Sequence, residues 1–281
     1  MFIDRDVDNH EYEERNTIRK ITFGPNVRNI GYSAFKDCYS LEEIIMTNVE
    51  YIGMWAFACC HRLRKVTLND GLILINSCAF YDTDITSIEI PDSVLGIGYR
   101  AFQQCKSLVN VKLPNTLTEL SSYVFNRCKS LKSIIIPDSV NKIEICALSG
   151  CEKLENVKLP NSLIELQDCT FGLCESLKTI TIPKTIKSIE SQTFQYCSEL
   201  TDVIFEEGSQ LKTIESCAFF DCTKLSNINF PKSLTKIGSL AFSGCPIENV
   251  ELHNVTYIGE RAFDNIKKTL LMEWPVNNDS T

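Results

Sequence analysis

The sequence has little that would place the protein in a membrane or on a nucleic acid. No apolar run approaches the ~20 residues that a membrane-spanning helix needs. Acidic residues outnumber basic ones by 36 to 28, which gives a formal net charge of −8. No cluster of Lys and Arg along the chain offsets this excess. The sequence therefore predicts neither a nucleic-acid partner nor membrane insertion.

The first residues also lack the features of a secretory signal. They read M-F-I-D-R-D, with no basic start followed by an apolar stretch. On this ground we expect the protein in the cytoplasm.

Motifs that carry chemistry are missing as well. The chain has three His residues, no glycine-rich phosphate loop and no H-E-x-x-H pair. Carboxylates are plentiful but scattered, so no paired acid and base can be selected. We therefore expect no catalytic residue, no metal site and no cofactor, and the protein is predicted not to be an enzyme.

What the sequence has is a repeat of about 23 residues. A small residue followed by Phe recurs about eleven times, with Ala147-Leu148 filling one gap. Three residues after most of these positions comes Cys, then Leu, then an alternating I-x-I segment that Pro often closes. The alternation is typical of a short strand with one buried face. One such unit cannot bury its apolar side chains alone, so the units are expected to stack into a continuous core. The Phe positions are Phe35, Phe57, Phe80, Phe102, Phe125, Phe171, Phe194, Phe219, Phe242 and Phe263.

The L-x-x-I-x-I-P strand and the A-F-x-x-C corner resemble the BspA-like, or Treponema-type, leucine-rich repeat family. The resemblance runs from about Ile18 to about Trp274. It implies a curved solenoid with a concave strand face, in proteins often displayed on cell surfaces for adhesion or host contact. A cell-surface or secreted location is thus the alternative to the cytoplasm. The predicted fold is an α/β-type solenoid, mostly β, a right-handed coil of about eleven units with a concave parallel β-sheet.

The composition at the two ends sets the predicted boundaries. Residues 1–16 are acidic and polar and are interpreted as a tail or a partial cap. Residues 17–274 form the solenoid, with 270–274 as a last strand, and residues 275–281 are predicted to be a disordered tail. A two-residue insertion in the unit around Gly208 should form a loop.

Thirteen of the fourteen cysteines keep the phase of the repeat. Nine follow the Phe position by three residues, and Cys78, Cys146, Cys169 and Cys217 precede it by two. We interpret them as a buried ladder of thiols. A disulfide array would need a secretory route, and thiols in a line do not form the tetrahedron that zinc prefers. Cys59 alone stands outside the pattern, beside Cys60 and His61.

The candidate binding residues are the outward positions of the I-x-I strands. They form a polar strip rich in Asn, Thr and Ser, without aromatic residues. We predict a monomeric, non-enzymatic scaffold that presents this strip to a protein or glycan partner. A soluble face with no ligand and a structural or self-assembly role are the alternatives. The candidate positions are Lys65, Thr67, Ser87, Glu89, Asn110, Lys112, Asn156, Lys158, Thr179, Thr181, Asn227 and Asn229.

Overall fold

The chain folds into short strands that recur once or twice in each unit. The computed structural model describes residues 1–263 and 271–272, and no helix occurs among them. In chain order the strands are β1 (Phe2–Ile3), β2 (Lys20–Phe23), β3 (Asn29–Ile30), β4 (Glu43–Ile45), β5 (Tyr51–Ile52), β6 (Lys65–Thr67), β7 (Leu74–Ile75), β8 (Ser87–Glu89), β9 (Gly96–Ile97), β10 (Asn110–Lys112), β11 (Glu119–Leu120), β12 (Ser133–Ile135), β13 (Lys142–Ile143), β14 (Asn156–Lys158), β15 (Glu165–Leu166), β16 (Thr179–Ile182), β17 (Ser188–Ile189), β18 (Asp202–Phe205), β19 (Thr213–Ile214), β20 (Lys236–Ile237), β21 (Glu251–Leu252), β22 (Tyr257–Ile258) and β23 (Leu271–Met272).

These strands form two parallel columns. The first strand of each unit pairs with the first strand of the next, as in β1-β2-β4-β6 and β8-β10-β12-β14. The second strands pair likewise, as in β3-β5-β7-β9 and β15-β17-β19-β20-β22. The register advances by one unit at each step, so Ile21 is opposite Ile44 and Ile134 is opposite Val157. The predicted mostly-β solenoid of stacked units is confirmed.

The inserted residues do not disturb the register. Ile189 of β17 lies opposite Ile214 of β19, although 25 residues separate them. The extra residues lie between β18 and β19, where Gly208 adopts a positive φ of 75° with open space around its Cα. The insertion therefore forms a loop, as the sequence predicts.

In the corners between the second strand and the next unit, successive backbone amides donate alternately to the next unit and to their own turn. In one corner the amides of Phe35 and Asp37 donate to Ala56 and Ala58 of the next unit, while those of Lys36 and Cys38 donate within their own turn. Two residues of a corner adopt left-handed φ values, for example Ser33 and Asp37 at 50° and 57°. This conformation is unfavourable for non-glycine residues, but it satisfies the backbone donors at both levels.

The core is a column of aromatic rings bordered by aliphatic side chains. Phe57 and Phe80 stack at 5.5 Å between ring centroids, and Phe194 and Phe219 at 5.0 Å. The ten Phe residues of the repeat are buried, except that Phe263 at the end is partly buried. Leu148 occupies the remaining position and is fully buried. Stacking along the solenoid therefore provides the burial that a single unit lacks.

The ladder cysteines are buried and bonded between units. The Cys60 thiol donates to the carbonyl oxygen of Phe35 at 3.1 Å, and Cys128 donates to Phe102 at 3.2 Å. Thr83, which replaces one ladder cysteine, donates its hydroxyl to Phe80 at 3.1 Å. The predicted ladder is confirmed for the nine cysteines that follow the Phe position, which is held by Leu148 in the case of Cys151. The four that precede it share a left-handed φ, but only Cys78 is buried, whereas Cys146, Cys169 and Cys217 are half-buried. The prediction of a buried thiol is therefore wrong for these three.

Residues 1–16 were predicted to be a tail or a partial cap. They make the same kinds of contact with the next unit as a full turn of the solenoid does, and we call such a turn a coil. β1 pairs with β2, and Val7 bridges to Ile30. Tyr12 stacks on Phe35 at 5.1 Å and accepts a hydrogen bond from the Cys38 thiol through its carbonyl oxygen. Tyr12 thus holds the Phe position of a unit that precedes the first Phe. At the other end, β23 pairs with β21, and the predicted tail 275–281 lies outside the described residues.

Candidate functional site

The outward side chains of the first strands form an exposed row along the solenoid. All twelve candidate side chains are exposed, and each flanks a residue that points into the core. The register places Asn110 between Ser87 and Ser133 of the adjacent strands, and Ser133 beside Asn156. The strand pairing therefore aligns polar side chains from successive units on one surface, which we call the first-strand face.

Two candidate residues differ from the expected geometry. Asn227 and Asn229 are exposed but lie in a segment without strand structure. Asn is a poor strand former, and two of them in a four-residue segment weaken pairing with β18. A cavity of about 220 Å³ separates 227–229 from Asp202 and its neighbours in β18. The first-strand face is therefore interrupted here, and these two side chains line a cleft instead of a sheet.

A cationic pocket lies at the N-terminal end of the first-strand face. Its volume is about 590 Å³. Five of its seven lining side chains are basic and two are acidic, so its charge opposes that of the whole chain. We define the cationic pocket by these residues: Arg19, Lys20, Glu42, Glu43, Arg62, Arg64 and Lys65.

Ion pairs leave part of this positive charge unmatched. Lys20 lies 2.9 Å from Glu43 and Arg19 lies 3.3 Å from Glu42. The hydrogen bond from Lys20 lowers the pKa of the Glu43 carboxyl. Among the described residues, Arg62 and Lys65 form no ion pair, so they are available to an external anion. Sequence reasoning missed this cluster because its basic residues come from three units and are adjacent only after the units stack.

A second cluster lies at the corner of the second and third units. The thiol of Cys59, the imidazole of His61 and the carboxylate of Asp82 lie within 4.8 Å of one another. His61 Nε2 is 3.1 Å from Asp82 Oδ2, and the His61 ring stacks on Tyr39 at 5.4 Å. His61 is exposed, as predicted for a surface histidine, whereas Cys59 is half-buried.

Carboxylates outweigh the nearby Lys36 in their effect on Cys59. Burial raises the pKa of the Cys59 thiol to about 11, and the carboxylates of Asp37 and Asp82 add to this rise. A thiol with a raised pKa is a poor nucleophile at neutral pH. The cluster therefore lacks the electrostatics of a cysteine-based catalytic site, although it holds a thiol, an imidazole and a carboxylate.

The spacing of the repeat could have predicted part of this cluster. Asp37, Cys59 and Asp82 each follow the Phe of their unit by two residues, in three consecutive units. All three adopt left-handed φ values, so they hold the same position in the corner. The register of the repeat could have predicted that a thiol lies between two carboxylates, but the contact with His61 depends on side-chain directions.

A third group of polar side chains involves two half-buried thiols. Cys146 and Cys169 lie two residues before Leu148 and Phe171, which hold the Phe position of adjacent units, and their thiols are hydrogen-bonded to each other. This bond, together with one from Tyr123, lowers the pKa of Cys146 to about 7. The Cys169 thiol also lies 3.1 Å from the side-chain oxygen of Gln192. The pair places one thiol within reach of deprotonation at neutral pH.

Within residues 1–263 and 271–272, no helix has both the length and the apolar character needed to cross a membrane.

Comparisons with known proteins concern the repeat. The family described as BspA type leucine-rich repeat region matches in six copies, over residues 5–108, 73–201 and 199–280. No curated protein matches the chain significantly.

Several solved structures are similar over most of the chain. A leucine-rich repeat protein from Bacteroides ovatus is 26% identical over 86% of this chain and 92% of its own, with a TM-score of 0.49. A leucine-rich cell surface protein from Faecalibacterium prausnitzii is 23% identical over 94% and 81%, with a TM-score of 0.45. The T. pallidum leucine-rich repeat protein is 19% identical over 86% and 81%, with a TM-score of 0.40.

Proposed function

The chain belongs to the BspA type leucine-rich repeat family, and from this premise we propose that it is a non-enzymatic binding scaffold. Its first-strand face would bind a protein or glycan partner. The observation that carries the proposal is the exposed polar row that leads into the cationic pocket. Extended strand faces of solenoids are common binding surfaces because each unit contributes a few outward side chains.

The charge of the cationic pocket supports a partner with anionic groups. Arg62 and Lys65 form no ion pair among the described residues, although Glu42 and Glu43 line the same pocket. Arg guanidinium groups bind carboxylates and sulfates through paired hydrogen bonds. The rest of the first-strand face is mostly polar, with Ile135 and Ile204 as exposed aliphatic side chains and Phe2 of β1 as an exposed aromatic one. Polar groups such as Asn110 and Asn156 would set register and specificity, while the pocket would contribute the strongest contacts.

For the cellular location, we give the family resemblance more weight than the N-terminal sequence. We propose a cell-surface or secreted protein with an adhesin-like role, which is what the resemblance implies, in place of the cytoplasmic location first expected. Labelling of intact cells with an antibody to the protein would test this. A signal that appears only after the cells are permeabilised would contradict it.

Capture of a partner from native lysate tests the binding proposal. A Lys112→Glu/Lys158→Glu variant changes the charge of the first-strand face, and an Arg62→Glu/Lys65→Glu variant changes that of the cationic pocket. Lys187→Glu/Lys212→Glu is the matched control, since both lysines are exposed beside the second strands. Partner capture should fall at least about tenfold in the first two variants, which corresponds to about 1.4 kcal/mol, and remain in the control.

The same variants separate this proposal from its alternatives. Capture that survives in both face variants with unchanged melting curves would contradict the proposal. Light scattering across a range of concentrations distinguishes a self-assembling protein from the monomer that we propose. Growth of the particle mass with concentration would favour the assembly role.

A further inference from the structure

The cluster at the corner of the second and third units has the composition of a transition-metal site. Cys59 contributes a thiol, His61 an imidazole and Asp82 a carboxylate, all within 4.8 Å of one another. Magnesium and calcium prefer oxygen ligands alone, whereas zinc and its neighbours in the first transition row accept sulfur, nitrogen and oxygen together. The donor set therefore selects a zinc-type ion.

The distances allow the three donors to share one ion. Zinc bonds of roughly 2.0 to 2.3 Å place two ligand atoms of a tetrahedral site about 3.3 to 3.8 Å apart. The donors need to approach by no more than about 1 to 1.5 Å from the 4.8 Å limit. The His61 side chain is about half exposed, so its ring can rotate toward the thiol without disturbing the core. Cys59 and Asp82 are fixed by the corner backbone, where Cys59 N donates to Tyr81 O at 2.8 Å.

The surroundings also favour a cation. The Cys59 thiol is hydrogen-bonded to the carboxylate of Asp37 and lies beside that of Asp82. These two carboxylates oppose a free thiolate, but they stabilise a divalent ion that binds to it. Lys36 and Lys106 pair with Asp37 and Asp82 at 3.3 Å. Asp37 contacts the thiol but is not one of the three donors that lie within 4.8 Å of one another, so the fourth position is left to a water that can hydrogen-bond to Asp37.

We propose that Cys59, His61 and Asp82 bind a single zinc-type divalent ion, with Asp37 beside the site. The thiol proton passes to solvent as the sulfur coordinates the ion, so binding needs no oxidant or other reactant. The ion would link the second unit to the third at the outer corner, on top of the backbone hydrogen bonds. The site is independent of the first-strand face and of the function proposed for it.

Cobalt(II) titration of the reduced, metal-free protein tests the proposal. Cobalt takes the place of zinc in S/N/O sites, and its bond to a thiolate gives a charge-transfer band in the near ultraviolet. We expect a band that saturates at one ion per chain and that zinc displaces. Cys59→Ser should abolish the band, and His61→Ala and Asp82→Asn should each weaken binding at least about tenfold.

A matched control addresses the other accessible thiols. A Cys146→Ser/Cys169→Ser variant removes the pair of adjacent half-buried thiols, and it should keep the band. The proposal is overturned if the band survives in Cys59→Ser, or if it is lost in the Cys146→Ser/Cys169→Ser variant instead.

A thermal readout keeps the test valid if a variant folds poorly. The wild-type protein should melt at a higher temperature with zinc than with a chelator, because the ion binds only the folded state. His61→Ala changes an exposed side chain and should melt like the wild type in chelator, but without the rise in zinc. An equal rise in wild type and His61→Ala would also overturn the proposal.

Discussion

The thiol of Cys128 donates a hydrogen bond to the carbonyl oxygen of Phe102, 3.2 Å away in the preceding unit. The same carbonyl accepts the backbone amide of Cys105 from its own turn, also at 3.2 Å. The thiol is therefore both a small core side chain and a link between units. The same bond recurs at the other ladder cysteines, including Cys197 with Phe171 and Cys245 with Phe219.

Replacement of a ladder cysteine should cost more than replacement of a corner cysteine. Cys128→Ala removes buried volume and the bond between units, and we expect a loss of about 1 to 2 kcal/mol in the free energy of unfolding. Cys217→Ala, at a half-buried corner position, should change it by less than about 0.5 kcal/mol. Urea denaturation measures both, and equal losses would contradict the role of the ladder.

The aromatic column should be the most sensitive part of the core. Phe102 is fully buried and stacks between Phe80 and Phe125 at 5.3 and 5.6 Å. We expect Phe102→Ala to cost about 3 to 5 kcal/mol. The exposed side chain of Phe2 is the control, and Phe2→Ala should have little effect. A cost at Phe102 below 1.5 kcal/mol, about half the low end of that range, would show that the column is not the main source of stability.

Acid should release the N-terminal coil before the rest of the solenoid. Burial acts to raise the pKa of Asp6, but hydrogen bonds from the Asn29 side chain and from the Arg28 and Asn29 amides outweigh it and lower this pKa below 3.8. The hydrogen bond from Arg5 lowers the pKa of Glu11 below 4.5. A carboxyl with a lowered pKa stabilises the fold above its ordinary pKa, and this contribution is lost as the pH falls through the folded value.

Hydrogen exchange as a function of pH checks this expectation. Once the intrinsic pH dependence of exchange is corrected for, the amides of residues 1–16 should lose protection at acid pH while those around Phe102 keep theirs. Asp6→Asn should weaken the coil at neutral pH and flatten the pH dependence. Glu207→Gln, on the exposed inserted loop, should change neither. Simultaneous loss of protection along the whole chain would contradict the prediction.

Cys146 should be the most reactive thiol near neutral pH. Hydrogen bonds from Cys169 and Tyr123 lower its pKa to about 7, whereas burial raises the pKa of Cys105, Cys151 and Cys197 to about 12. Brief alkylation at mildly alkaline pH followed by peptide mapping should modify Cys146 first. Cys169→Ala should raise the pKa of Cys146 and slow its alkylation. First modification at Cys217 would contradict this order.

The sequence predicts the fold well because the core residues recur at a constant spacing, and this spacing determines which residues stack on one another. Each Phe, ladder Cys and I-x-I pair returns at the same phase, and the stacking of Phe57 on Phe80 follows directly from that phase. Tyr12 was missed as a core ring because no small residue precedes it, although it lies 23 residues before Phe35. The loss of strand structure at Asn227 was not predicted. It depends on the low strand propensity of Asn, and the spacing of the repeat carries no information on strand propensity.

The candidate sites were less predictable than the fold. The outward positions of the first strands follow from alternation, so their exposure could be derived from the sequence. The cationic pocket and the contact between His61 and Asp82 depend on side chains from different units, and their directions are set by the corner backbone. Periodicity predicts the position of a residue along the solenoid axis but not the direction and contacts of its side chain.

The alternating hydrogen bonds of the corners have a consequence for how the protein varies. Within residues 1–263, the backbone hydrogen bonds of a coil join it to the coil before it and the coil after it, as Phe35 is joined to Ala56. A whole coil can therefore be duplicated or deleted in frame, and the new neighbours present the same donors, acceptors and rings to each other. Such a change would alter the length of the first-strand face in steps of one strand, while the backbone hydrogen bonds between the remaining coils stay the same.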